Sequence, residues 1–248
     1  MKLLAAIALA VAALGAWALY AATRPPPEHF IAPTAAQPVV LELFTSQGCS
    51  SCPPADRLAG RFAREPGMIV ITRPVTYWDR QGWKDTLASP ANTALQRTYA
   101  QRIDDEVGGS YTPQVVVDGL TGAVGSNENR IRRLAQAAMK RPHPALTVAR
   151  DDAGGAVATL SGADARPAEL ALVALAAKRA VSIGGGENGG REVTYTNVLV
   201  GERPLGAWSG GKARIAISAD ALRQRGADRY AVILREPGGG PILAAKAL

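Results

Sequence analysis

Two cysteines separated by only two residues are the feature that most constrains this chain. Cys49 and Cys52 are its only cysteines, and both intervening residues are serines. The apolar segment 39–44 leads into the pair, and Pro53 and Pro54 begin a helical pattern directly after it. A Cys-x-x-Cys pair at a strand-to-helix junction is typical of a redox-active dithiol, because helix amides and the helix dipole stabilise the first thiolate. The spacing therefore predicts thiol–disulfide chemistry.

Two other roles of the pair stay open. A structural disulfide usually joins distant segments, because a longer loop constrains the unfolded chain more, whereas a Cys49–Cys52 bond closes a very short loop. Zinc needs about four ligands, and the chain offers only His29 and His143 besides the pair, without metal-ligand spacing. A single copper(I) ion on the two thiolates is the remaining metal alternative. We predict no resident metal and no cofactor.

The N-terminal residues 1–22 predict export. Lys2 precedes an uncharged apolar run, 3–22, which fits either a signal peptide, with a small-x-small cleavage site at 16–18, or an N-terminal membrane anchor. A Pro-rich linker follows at 23–38. We expect a periplasmic or secreted protein, attached to the inner membrane only if the N-terminal segment is not cleaved.

The charge of the chain adds one expectation about partners. The formal net charge is +7, and the densest basic cluster, 130–141, follows a helical pattern without interleaved aromatic residues. Such a cluster is typical of a solvated helix face, so we expect no nucleic-acid partner. The cysteine pair implies instead an exported protein or thiol substrate and a second redox partner.

The segment 39–143 predicts an α/β fold with the element order βαβαββα. Parallel strands joined by helices, followed by an antiparallel hairpin and a closing helix, make a thioredoxin-like core. The predicted elements are strands at 39–44 and 68–73 around a helix at 54–64, a helix beginning at 89 and ending before 108, a hairpin of strands at 114–117 and 122–124, and a helix at 127–141.

Pro113 is the second signature of this fold. It lies in Tyr111-Thr112-Pro113-Gln114, directly before the third predicted strand. In thioredoxin-like proteins a proline at this position is cis and packs beside the cysteine pair, and the residue before it offers backbone groups to a substrate strand. We therefore predict a cis Thr112–Pro113 bond and substrate contact by both residues. The alternative is an ordinary proline that begins a strand.

The segment 144–248 has a different pattern. Short alternating or apolar stretches between Gly-rich turns predict a small antiparallel, sandwich-like β-rich domain. Its loop 184–191 is rich in glycine but lacks the ending of a phosphate-binding loop. We expect the polar residues of this loop to hold a turn or the domain interface in place. The alternative is substrate contact by Glu187, Asn188 and Arg191.

A long motif at 41–56 resembles the hallmark of a bacterial family of exported thioredoxin-like proteins, which is known as a domain of unknown function. The centre of the motif is Gly-Cys-Ser-Ser-Cys-Pro-Pro-Ala-Asp. Shorter matching stretches lie at 77–85, 111–119 and 186–197. The chain departs from the family pattern at Pro74 and Thr76, where the family has His and Asp. The resemblance implies a thioredoxin-like fold and an exported location, but no substrate.

The motifs assign roles within the predicted site. Cys49, at the exposed start of the helix, is the candidate nucleophile, and Cys52 is the candidate resolving thiol. Glu42 interrupts a strand that is otherwise apolar, and a buried acid needs a partner or a function. The arrangement resembles thioredoxins, where a buried acid moves protons for the second cysteine, so Glu42 is a candidate for that role; the alternative is a structural hydrogen bond. Trp78 and Trp83 form either a lid over the disulfide or a cover for the sheet end.

The leading hypothesis is an exported thiol–disulfide oxidoreductase that acts on protein or small-molecule disulfides. A non-catalytic thioredoxin-like binding module and a copper metallochaperone are the alternatives. The direction of electron transfer depends on the relative stability of the thiolates, which the sequence alone does not determine.

Overall fold

The structure is a computed structural model that describes residues 33–34, 38–162 and 166–248. The predicted N-terminal segment 1–22 and most of the predicted linker 23–38 lie outside these residues. Within the described part of the chain, no helix is both long and apolar enough to cross a membrane.

The fold is a mixed α/β architecture with a large sheet and few helices. The first part of the chain contains β1 (Val39–Thr45), α1 (Pro53–Phe62), β2 (Met68–Pro74), α2 (Pro90–Ala100), β3 (Asp104–Asp105), β4 (Gln114–Val117), β5 (Thr121–Val124) and α3 (Glu128–Met139). The second part contains β6 (Ala145–Arg150), β7 (Ala156–Ser161), β8 (Ala168–Ser182), β9 (Glu192–Trp208), β10 (Ala213–Ile217), β11 (Arg229–Arg235) and β12 (Ile242–Ala247).

The larger sheet joins strands from both parts of the chain. Its nine strands have the order β12-β11-β8-β9-β2-β1-β4-β5-β3, and β10-β7-β6 form a second sheet. β1 is parallel to β2 and antiparallel to β4. The parallel β2–β9 contact pairs Thr72 with Val198, and the Thr72 hydroxyl donates to the Thr196 carbonyl at 2.6 Å. The segments 39–143 and 144–248 therefore share one sheet, and their division into two domains stays a prediction.

β8 and β9 are much longer than the short strands expected at 168–175 and 192–199. They contain 15 and 17 residues and pair as one antiparallel hairpin. The expected lengths were wrong because side chains in the second half of β8 alternate between half-buried and exposed. Backbone pairing with β9, rather than apolar burial, keeps that half extended, and apolar runs alone do not reveal such pairing.

β1 is buried along its whole length because layers cover both of its faces. Val39, Leu41 and Leu43 pack with residues of α1 and α3 in one core cluster. Val40 belongs to a different cluster, which includes residues of β8 and β11. A strand buried on both faces is the usual interior element of an α/β sheet, and here its carboxyl end leads directly into the cysteine loop.

α1 begins where its sequence favours a helix start. Pro53 occupies the first turn, where a fixed φ suits the helix and the missing N–H costs no intrahelical hydrogen bond. Cys52 is the N-cap residue, and its side chain makes no capping hydrogen bond. The buried face, which includes Ala55, Leu58 and Phe62, packs with β1 residues in the core cluster. The amino terminus of α1 is thereby held beside the cysteine pair.

Candidate functional site

A disulfide joins Cys49 to Cys52 directly before α1, which confirms the predicted bond. The two Cα atoms lie 5.4 Å apart, and both cysteines are 0% exposed. The expectation that Cys49 is exposed was therefore wrong. The groups that cover it belong to loops far away in the sequence, so the local pattern carries no sign of this burial.

The sulfur of Cys49 has two polar neighbours. Ser51 Oγ lies 3.3 Å away, and because a disulfide sulfur carries no hydrogen, the Ser51 hydroxyl is the donor. The carbonyl oxygen of Thr112 lies 3.7 Å from the same sulfur. The Thr112–Pro113 peptide bond is cis, as the sequence predicted.

Trp78 packs against the same loops. Its Nε1 donates a hydrogen bond to Thr112 Oγ1 at 2.8 Å. A Cβ atom at Gly48 would lie 3.2 Å from Trp78 Cβ, so the absence of a side chain at Gly48 allows this close packing. The structure thus brings Thr112, Pro113 and Trp78 beside the cysteine loop. The half-buried position of the indole is compatible with both predicted roles, a lid and a cover for the sheet end.

A loop between β8 and β9, residues 183–191, holds the cysteine loop from the other side; we call it the clasp loop. Asn188 is 1% exposed, and its Nδ2 donates to Gln47 O at 3.0 Å and to Cys49 O at 2.7 Å. Glu187 Oε2 accepts from the Ser50 amide at 2.9 Å. Arg191 donates to Asn188 Oδ1 at 2.9 Å. The loop therefore holds the cysteine turn in place, and substrate contact by its residues stays a prediction.

Gln47 links the cysteine loop to the Trp-rich loop after β2. Its amide donates to Asp85 Oδ2, and its side-chain oxygen accepts from Trp83 Nε1, both at 2.8 Å. Trp83 also packs closely on Gly184, where an added Cβ would lie 2.8 Å from the indole. Sequence reasoning missed Gln47 and Asp85, because their roles depend on partners about 40 residues apart along the chain.

Glu42 lies in a buried ion cluster. Its Oε1 accepts from Arg73 Nε and from Arg235 NH2, both at 2.7 Å, and its Oε2 accepts from the Tyr99 hydroxyl. Burial by itself raises the pKa of Glu42, but Arg235, Arg73 and Tyr99 outweigh it and lower the pKa to about 2. These contacts favour the structural alternative for Glu42. Its predicted role in proton transfer stays untested.

Asp56 is a second buried acid, and it lies on α1 close to the cysteines. It is 2% exposed. Its Oδ1 accepts from Thr45 Oγ1 at 2.8 Å, and its Oδ2 has no hydrogen-bond partner among the described residues. Burial raises the pKa of Asp56 to about 8, against the opposing effect of the Thr45 hydrogen bond. The sequence contained one signal for it, since an acid four residues after Cys52 shares its helix face.

The described residues contain no group of three or more His, Cys, Asp and Glu side chains arranged to hold a metal ion. Copper(I) on the two thiolates alone would need only the reduced pair, so this alternative stays untested.

Fold and site together define a mixed α/β protein with a buried Cys-x-x-Cys disulfide loop at the end of a central strand. Residues 40–235 match the family described as protein of unknown function (DUF1223). The match covers most of the chain, which therefore belongs to this family, as the motif at 41–56 indicated. A comparison with curated proteins finds no significant match.

Two solved structures resemble the fold. The crystal structure of protein AGR_C_4864 from Agrobacterium tumefaciens has a TM-score of 0.73 and 22% identity, and the alignment covers 87% of this chain and 94% of that one. HBP35 of Porphyromonas gingivalis has a TM-score of 0.53 and 13% identity, with 87% of this chain and 76% of that chain covered. At these identities the likeness concerns the fold alone.

Proposed function

We propose that this chain is an exported thiol–disulfide oxidoreductase with a thioredoxin-like core, acting on protein or small-molecule disulfides. The observation that carries the proposal is the position of the Cys49–Cys52 disulfide. It lies between the end of β1 and the first turn of α1, with the Thr112 carbonyl 3.7 Å from Cys49 Sγ. A strand-to-helix junction stabilises a thiolate, and a free backbone group beside it can pair with a substrate strand.

The proposed reaction starts from the reduced pair. The Cys49 thiolate attacks a substrate disulfide, forming a Cys49–substrate bond and releasing one substrate thiolate, which takes a proton from water. Cys52 then loses its proton and attacks Cys49 Sγ, which forms the Cys49–Cys52 bond and releases the second substrate thiolate. Two electrons pass from the pair to the substrate, and the same steps run backwards when the protein acts as an oxidant. An exported dithiol or disulfide partner restores the starting state.

Two groups prepare Cys49 for the role of nucleophile. The Ser51 hydroxyl already points its hydrogen at the sulfur, and the amino terminus of α1 adds a positive potential. The sulfur of Cys52 belongs to the N-cap residue, one position from the helix, which suits the second, resolving step.

A non-catalytic binding module is the second candidate, and one observation favours it. Neither cysteine is exposed in the disulfide form, so a large substrate reaches Cys49 only after the covering loops move. A permanently closed disulfide would resist exchange and would serve only to shape the surface around it.

The reduction potential of the pair distinguishes the two candidates. We expect equilibration with glutathione buffers, read by thiol alkylation, to give a potential above about −300 mV, the approximate limit for inert structural disulfides. Cys52→Ser should also trap exported partners as mixed disulfides through Cys49, whereas Cys49→Ser, the matched control, should trap none. A potential below that limit together with an absence of trapped partners would favour the binding module. A copper(I) titration of the reduced protein tests the metallochaperone in the same preparation.

A further inference from the structure

We propose that Asp56 is the proton acceptor for Cys52 when the mixed disulfide is resolved. The inference rests on the proposed function, because it assigns the group that receives the proton in its second step. It differs from the sequence-based hypothesis, in which Glu42 was the candidate for this role and a structural hydrogen bond the alternative.

The helix geometry brings Asp56 to Cys52. The Asp56 amide donates to the Cys52 carbonyl at 3.1 Å, so the two residues are separated by one helical turn. Residues four apart lie on the same helix face with Cβ atoms about 5–6 Å apart. Both residues are also buried, with Asp56 at 2% and Cys52 at 0% exposure, so their shared helix face packs against the core rather than solvent.

The unpaired oxygen of Asp56 is the second observation. Its Oδ2 makes no hydrogen bond within the described residues, while Oδ1 is held by Thr45. A buried carboxyl oxygen without a partner costs about 1–3 kcal/mol, and such a group in a native structure calls for an explanation. A proton from Cys52 would remove the negative charge of this carboxylate, and burial favours the uncharged form.

The charges around Asp56 suit a proton acceptor. Arg57 on α1 and the Thr45 hydroxyl on β1 lower its pKa, Asp85 from the loop after β2 raises it, and burial, the largest effect, brings it to about 8. Tyr195 on β9 also faces it, and the charge of Asp56 contributes to the raised pKa of that phenol. A general base is most effective when its pKa lies near the working pH, and about 8 meets this condition.

Glu42 does not meet the same condition. Its carboxylate already accepts from two arginines and a tyrosine, and its pKa of about 2 makes it a very weak base near neutral pH. Of Glu42 and Asp56, only Asp56 therefore combines an oxygen without a hydrogen-bond partner with a pKa suited to accepting a proton.

The proposed step is balanced in atoms and charge. The Cys52 S–H bond breaks, its proton joins Asp56 Oδ2, and the thiolate electron pair attacks Cys49 Sγ. The Cys49–substrate bond breaks, and its electron pair leaves on the substrate sulfur. Asp56 then returns the proton to the released substrate thiolate through water. In the oxidising direction, Asp56 supplies the proton that Cys52 takes up when the pair opens.

A single-turnover reaction with an aromatic disulfide tests the step. Fully reduced protein is mixed with one equivalent of dithiobis(nitrobenzoate), and two releases of the coloured thiolate report attack by Cys49 and then resolution by Cys52. We expect Asp56→Asn to leave the first release intact and to slow the second at least about tenfold near neutral pH, because positioned acid–base groups contribute about 10²–10⁴-fold. The defect should narrow at alkaline pH, where the Cys52 thiol ionises unaided.

Two further variants separate this role from a merely structural one. Thr45→Val removes the hydrogen bond that lowers the pKa of Asp56, so the pH midpoint of the second release should move upward. Thr45→Val also tests the role of Asp56 if Asp56→Asn fails to fold. Asp220→Asn, which removes an acid whose side chain is 97% exposed, is the matched control and should follow the wild type.

The outcomes distinguish the inference from the proposed function. Two releases with a second phase that is identical in Asp56→Asn and wild type overturn the role of Asp56 and leave the oxidoreductase intact. Absence of the first release in the wild type overturns the oxidoreductase. Infrared difference spectra between oxidised and reduced protein test Asp56 in either case. A carboxylic-acid band should change on reduction by a phosphine and vanish in Asp56→Asn, and an unchanged band contradicts the inference.

Discussion

At the residue scale, two oxygens act on the Cys49 sulfur in opposite directions. The Ser51 hydroxyl donates a hydrogen bond to it at 3.3 Å, which would stabilise the thiolate after reduction. The Thr112 carbonyl, at 3.7 Å, turns the negative end of its dipole toward the sulfur and would oppose ionisation. The first contact is local and the second is a tertiary contact, so sequence and fold both contribute to the reactivity of this thiol.

Ser51→Ala should raise the pKa of the Cys49 thiol and slow its alkylation near neutral pH, because the thiolate loses a hydrogen-bond donor. A hydrogen bond to a charged group contributes about 1.5–3 kcal/mol when buried, and the exposure of Ser51 reduces this contribution. The rate of Cys49 alkylation against pH, measured in a Cys52→Ser background, reports the value. Ser50→Ala provides the control, because Ser50 contacts Glu187 rather than the Cys49 sulfur. Equal alkylation profiles for Ser51→Ala and its parent would show that the hydroxyl does not reach the thiolate.

At the element scale, the clasp loop holds the backbone of the cysteine turn. It connects β8 to β9 and reaches the cysteine loop across 139 positions of sequence, from Asn188 to Cys49. Only one of its contacting side chains is buried: Asn188 uses both hydrogens of its amide on backbone carbonyls. Glu187 is exposed. Separation of the clasp loop from the cysteine turn would therefore break both hydrogen bonds of Asn188.

Asn188→Ala should accelerate reduction of the disulfide by dithiothreitol about tenfold or more. Loss of two buried hydrogen bonds, each contributing about 0.5–1.5 kcal/mol net, favours the open form through which a buried bond is reduced. Alkylation of the free thiols at a series of times gives the rate of reduction. In Glu187→Gln, the matched control, the side-chain oxygen still accepts from the Ser50 amide, so its rate should stay near that of the wild type. If both variants are reduced at the wild-type rate, access does not depend on the clasp loop.

At the scale of the whole molecule, the cluster around Glu42 joins the two halves of the chain. Arg235 at the end of β11 reaches Glu42 on β1 across 193 positions, and Arg73 on β2 reaches Glu202 on β9 at 2.7 Å. Breaking such a buried pair by removing one partner typically costs about 3–5 kcal/mol, because it leaves an uncompensated charge. The cluster therefore links β1 and β2 to β9 and β11 within the large sheet.

This cluster predicts a loss of stability in acid. The pKa of Glu42 falls from 4.5 to about 2 on folding. Its stabilising contribution is complete above the unfolded pKa and is lost as the pH falls through the folded one. A shift of this size corresponds to about 3 kcal/mol. Urea unfolding at a series of pH values below 4.5 should reveal this decline.

Arg235→Met should flatten the acid-dependent part of the stability curve and lower stability at neutral pH by about 3–5 kcal/mol. Arg229→Met, an exposed arginine on the same strand, is the matched control and should keep the wild-type pH dependence. A wild-type curve without slope in this acid range would contradict the low pKa of Glu42.

Features that depend on residues close together in the sequence were predicted well, whereas features that depend on distant residues were harder to predict. The bond between the cysteines, the helix start at Pro53 and the cis Thr112–Pro113 bond were predictable, since each depends on neighbouring residues or on the element order. The role of Glu42 was harder, because an acid in an apolar strand signals only that a partner exists. Its partners Arg73 and Arg235 lie 31 and 193 positions away.

The sequence by itself determined the disulfide loop and the alternation of strands and helices around it, because three-residue spacing, proline and apolar periodicity act within a few residues. Only the tertiary structure decided which groups surround this loop. It buried Cys49, paired the charge of Glu42 with Arg73 and Arg235 and left one oxygen of Asp56 without a hydrogen-bond partner. Burial and charge pairing depend on which distant side chains converge in space, and the same local sequence would leave these groups exposed in another fold.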